Sequence, residues 1–69
     1  MSVNTVKELR EQKGFTQTHV AIESGLSPSK IGHIERGLKC NQPTARKIAA
    51  ALNEKPETVF SNFKELRGW

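Results

Sequence analysis

From Phe15 to Gly37 the chain reads FTQTHVAIESGLSPSKIGHIERG, with apolar residues spaced for two short helices broken at Gly25. Thr16 stands at the start of the first as a cap whose hydroxyl accepts from a backbone N–H one turn ahead, and Phe15 and Val20 have hydrophobic-staple spacing. The second repeats the device. Ser27 is its cap, Pro28 occupies the first helical position, where a missing N–H costs nothing, and Leu26 and Ile31 form the staple. Gly25 falls where the chain must turn sharply, which favours a residue without a Cβ, and Ala21 is small enough for the helices to cross closely. With Ile31 and Ile34 turned inward, Ser29, Lys30, His33 and Arg36 remain on a polar, basic outward face.

The same periodicity organises the rest of the chain. Thr5-Val6-Lys7-Glu8 spells a capping box, so a first helix starts near Thr5, carries Val6 and Leu9 inward and stops at Gly14. After a loop from Leu38 to Gln42, a fourth helix begins with Asn41 or Gln42 as cap and Pro43 at its first position; Ile48, Ala49 and Leu52 are its inward stripe. Asn53 suits a left-handed cap, and Pro56 opens a short fifth helix bearing Val59 and Phe60. Phe60, Phe63 and Leu66 sit three apart, a spacing able to extend that helix through the tail from Ser61 to Trp69. No stretch alternates as a half-buried strand does, so the expected class is all-α, a small orthogonal bundle of about five short helices.

Length narrows the function. A chain of 69 residues makes one domain, 1–69, and buries only about 60% of its unfolded surface, leaving no room for a catalytic cleft beside the core. Charge narrows it further. From Ser27 to Lys47 the cations Lys30, Arg36, Lys39, Arg46 and Lys47 face the single acid Glu35, whereas elsewhere cations and acids balance, so this segment carries the whole net charge of +4. A polyanion-binding surface needs such a concentration.

Chemistry-bearing clusters are sparse. His19 and His33 are the only histidines, at no zinc-site spacing, and Cys40, the only cysteine, has neither a histidine nor a second cysteine nearby. Glycine-rich phosphate loops and paired carboxylates are absent from the pattern. The expectation is a non-enzyme with no cofactor, no metal and no small-molecule substrate. Cys40 cannot form an intrachain disulfide, no segment reads as a leader, and no apolar run approaches the roughly 20 residues of a membrane span. A reducing cytoplasm is the expected home.

Thr16-Gln17, Ala21, Gly25, Ile31, Ile34, Glu35 and Gly37 resemble the pattern of the phage-repressor-like and Cro-like helix-turn-helix family, also called the xenobiotic-response-element family, over roughly Val6 to Phe60. The resemblance implies a lambda-repressor-like domain and a sequence-specific regulator that binds a pseudo-palindromic operator in double-stranded DNA as a homodimer, with the third helix in the major groove. On that reading Ser29 and His33 face base edges, and Pro28, beside the Ser27 cap, offers only apolar contact, for instance to a thymine methyl. Lys30 and Arg36 suit phosphates, though either can reach guanine. Relatives use a glutamine at the Gln17 position to bridge a phosphate and the recognition helix; Thr16, Lys39 and Asn41 are further phosphate contacts. Arg10 and Glu35 match a structural charged pair.

Two questions stay open. Phe63, Leu66 and Trp69 either form a dimer contact or cover the small core. An antitoxin that binds both its operator and a toxin protein shares this fold, as does a protein-interaction module without DNA readout, although the latter has no need of the basic block.

Overall fold

In the computed structural model, which describes residues 4–68, the chain forms α1 (Val6–Gln12), α2 (Gln17–Ser24), α3 (Pro28–Glu35), α4 (Gln42–Ala51), α5 (Pro56–Val59) and a 3₁₀ turn, Phe63–Glu65. Helix ends are encoded locally. Thr16, Ser27 and Asn41 each accept, through a side-chain oxygen, the backbone N–H three residues ahead, at 3.0, 3.1 and 3.0 Å. At the other end of α2, Gly25 takes φ +74°, and the N–H groups of Gly25 and Leu26 return to the carbonyls of Ile22 and Ala21. This pair of bonds closes the helix and reverses the chain into α3. Asn53 closes α4 in the same way at φ +56°, a conformation that its short polar side chain tolerates.

The inward faces meet in one core. Val6, Val20, Ile31, Ile34, Ile48, Leu52 and Val59 are fully buried, with Ala21, Ala45, Ala49, Phe60 and Phe63 among them. Leu9, Phe15, Leu26 and Leu66 pack around this cluster. α2 lies against α3 and α4, and the alanines of α4 permit that approach. No helix among the described residues is long and apolar enough to cross a membrane.

Three local expectations are corrected. The capping box at Thr5 does not form, because the Thr5 N–H donates to the Val59 carbonyl at 2.9 Å and its hydroxyl points to the carbonyls of Thr58 and Val59. The buried Asn4 serves the start of α1 instead. Its Oδ1 accepts from the Val6 N–H at 3.1 Å and its Nδ2 donates to the Ile34 carbonyl at 2.9 Å, tying the N-terminus to the last turn of α3. In α4, Asn41 is the cap and Gln42 the first residue, so Pro43 stands second. The fifth helix is not extended either: Phe60 is in extended backbone, paired antiparallel with Asn4, and the chain turns before Phe63. Phe60 and Phe63 are buried all the same, because the turn keeps both rings on the core side.

Asn4→Ala should therefore cost about 1–2 kcal/mol, since it removes the helix-start acceptor of the Val6 N–H and a buried bond to the Ile34 carbonyl, which keeps only its bond from the Gly37 N–H. Thr5→Ala should cost less than about 1 kcal/mol, because its hydroxyl bonds are long and partly exposed. Urea denaturation of both variants tests this; a larger loss at Thr5 would restore the capping box.

Candidate nucleic-acid interface

A carboxylate fixes the geometry of the helix pair. Glu35, at the end of α3, accepts from Arg10 Nε at 2.7 Å and from Arg10 Nη2 at 3.4 Å, while Gln17 Nε2 donates to its Oε1 at 3.0 Å. Arg10 also donates to the Phe15 carbonyl at 2.9 Å, which links the turn between α1 and α2 to the same cluster. The Arg10 and Glu35 side chains are only 12% and 5% exposed, so this is a buried pair rather than a surface one. Hydrogen bonding to Glu35 pushes the Arg10 pKa further up against the pull of burial, and the guanidinium stays charged.

Gln17 is the link from this cluster to the surface. Its amide lies across Gly32 of α3, where a Cβ would stand 3.6 Å from Nε2. Gln17, Pro28, Ser29, Gly32, His33 and Arg36 together line an open groove of about 300 Å³ along the outward side of α3. Pro28, Ser29, His33 and Arg36 are exposed there. Thr16 is exposed at the adjoining start of α2; its hydroxyl oxygen is occupied by the cap bond, which leaves the hydroxyl proton to donate outward. Ser27 holds the equivalent place at the start of α3.

A second, larger groove of about 510 Å³ gathers Lys30, Lys39 and Asn41 with Cys40, Thr44, Glu65, Leu66 and Arg67. The polar outward residues thus separate into two sets on either side of the first turn of α3. Cys40 is half-buried, and desolvation pushes its thiol pKa up, with nearby Lys30 opposing the shift. His19 packs its ring on Phe15, 4.3 Å between centroids, and among the described residues no three potential metal ligands converge.

The basic segment does not map onto one face. The Arg46 guanidinium sits 5.3 Å from the centre of the Phe63 ring, and neither Arg46 nor Lys47 lines either groove. Arg67, outside that segment, does. Of the tail residues, Phe63 is buried in the core, Leu66 packs against that core, and Trp69 lies outside the described residues. Sequence reading missed Gly32 and Arg67. Glycine at the middle of a capped helix is a signal for close approach, whereas nothing in the tail pattern marks Arg67.

Two capped helices at a glycine turn, with a polar outward face on the second, define a helix-turn-helix protein. The model of the helix-turn-helix family of Cro/C1 type matches residues 6–59, and the chain belongs to this family of DNA-binding transcription regulators. No curated protein and no solved structure matches the chain significantly.

Removing one partner of the buried pair leaves the other uncompensated, so Arg10→Met should lower stability by on the order of 3–5 kcal/mol. Base preference should not change; a variant that melts like the parent but prefers other sequences would contradict the structural role. Cys40 should react with iodoacetamide more slowly than free cysteine near neutral pH, because a raised pKa leaves less thiolate. Competition between protein and free thiol, followed by mass spectrometry, measures the ratio.

Proposed function

We propose that this protein is a Cro-like repressor, which occupies a pseudo-palindromic operator as a homodimer with α3 in the major groove. The observation that carries this reading is the groove along α3, where exposed hydrogen-bonding side chains stand beside the Gln17 amide fixed by Glu35. Ser29 and His33 read base edges, and Pro28 offers apolar contact. Thr16 and Gln17 at the start of α2, with Ser27, Lys30, Arg36, Lys39 and Asn41, hold the phosphates that set the register. One domain covers one half-site, so a two-fold operator calls for two copies. The single domain, 1–69, acts in the cytoplasm by occupying DNA.

Selection of binding sites from random duplex DNA at about 0.1 M salt tests the proposal. The expected result is a pseudo-palindrome with half-sites about 10 bp apart, centre to centre. Ser29→Ala and His33→Ala should alter the selected bases, whereas Lys39→Ala should weaken all sequences alike. No enrichment by a folded chain would overturn the operator reading and turn attention to co-purifying proteins.

A further inference from the structure

The segment after α5 is a strap. Beyond the 3₁₀ turn the chain folds back so that the Arg67 carbonyl accepts from the backbone N–H of Gln42, the first residue of α4. The Gln42 side chain donates in return to the Phe63 carbonyl at 3.2 Å. Leu66, between these bonds, packs on the core. Both ends of the strap are thus held by one residue, through main-chain atoms of Phe63 and Arg67.

This arrangement changes what the start of α4 can offer a phosphate. The Gln42 N–H is taken by the strap, Pro43 has none, and the Thr44 N–H is taken by the Asn41 side chain. Residues 42–44 therefore have no backbone donor to spare, and side chains carry more of the hold on an anion beside them. The groove there supplies three cations from three places in the chain: Lys30 from α3, Lys39 from the following loop and Arg67 from the strap. Glu65 is the one acid among them. Lys30 shares the first turn of α3 with Pro28 and Ser29, which line the neighbouring groove, so the two grooves adjoin.

We propose that the strap is part of the DNA-binding surface, with Arg67 holding a backbone phosphate beside Lys30 and Lys39. The inference rests on the reading of this protein as a DNA binder and extends its footprint past the helix pair. A guanidinium suits the role, because its fork meets two phosphate oxygens at once. Glu65 works in the opposite sense, lowering the field of the groove.

The test is the salt dependence of binding to a random-sequence DNA duplex, because non-specific affinity is carried by phosphates and each one neutralised contributes about −0.9 to the slope of log K against log salt. Arg67→Gln should reduce the magnitude of the slope by about 0.9, and Arg67→Lys should restore most of it. Glu65→Gln should raise affinity at low salt. Lys64→Gln is the control, since Lys64 sits on the same strap but lines a different groove with Glu57 and Ser61; its slope should match the parent. The strap bond at Arg67 uses the carbonyl, which Arg67→Gln retains, and slopes are compared at a temperature where thermal melting shows every variant folded. If the slopes of Arg67→Gln and the parent coincide, or if Lys64→Gln loses as much as Arg67→Gln, the strap has no specific phosphate contact. A parent chain whose binding to DNA is absent or indifferent to salt overturns the underlying reading as well.

Discussion

A carboxylate buried at the end of α3 must be paired, and Glu35 is paired by two helices at once. Arg10 comes from α1 and Gln17 from α2, at 2.7 and 3.0 Å. Its desolvation makes any arrangement that separates these groups costly, so the three helices share one electrostatic fastening. This matters because helices of seven and eight residues are too short to be stable alone, and their angles must come from tertiary contacts. The core gives non-directional cohesion. The Glu35 cluster adds direction: it sets where the first residue of α2 stands relative to the middle of α3, and Gly32 leaves the space in which the Gln17 amide lies.

Much of the fold was legible because its boundaries are chemical and local. Thr16, Ser27 and Asn41 cap helices through atoms three residues away, and Gly25 and Asn53 end helices by conformations few residues tolerate. The misreadings share a cause. Thr5 carries a good local signal, but its N–H is claimed by Val59, far along the chain. The register of α4 turned on Asn41 against Gln42; the Asn41 side chain closes onto the Thr44 N–H, while that of Gln42 is engaged with the distant Phe63 carbonyl. In the tail, a spacing of three fits an α-helix and a 3₁₀ turn equally, and pairing between Phe60 and Asn4 decided between them. Val20, Ala21 and Ile22 are consecutive apolar residues, yet a helix cannot turn three successive positions inward; Ile22 is 74% exposed.

The site was legible along α3 and less so around it. Outward positions follow from the burial of Ile31 and Ile34, which leaves Ser29, His33 and Arg36 outside. Charge counted along the sequence was a poorer guide, because a segment that turns from α3 into α4 presents its cations in several directions. Arg46 covers the Phe63 ring instead of lining a groove, a contact worth about 0.5–1 kcal/mol at an exposed site. Arg67 reaches the groove through a backbone bond to Gln42 that no local pattern encodes.

Ser29 and Lys30 are neighbours in sequence but line different grooves, as a rotation of about 100° per residue along a helix requires. One turn of α3 thereby serves two purposes with separate side chains. On the proposed reading, residues turned toward Gln17 meet donors and acceptors one by one, while Lys30 lines the groove of the strap and the following loop, where charge alone suffices. Contacts to phosphate fix position without carrying sequence information, and contacts to base edges carry it. A domain with a single core has no second layer on which to divide these tasks, so the division is made by the helical period itself. Under that proposal, substitutions on one side of α3 alter which bases are read without dismantling the charged surface on the other.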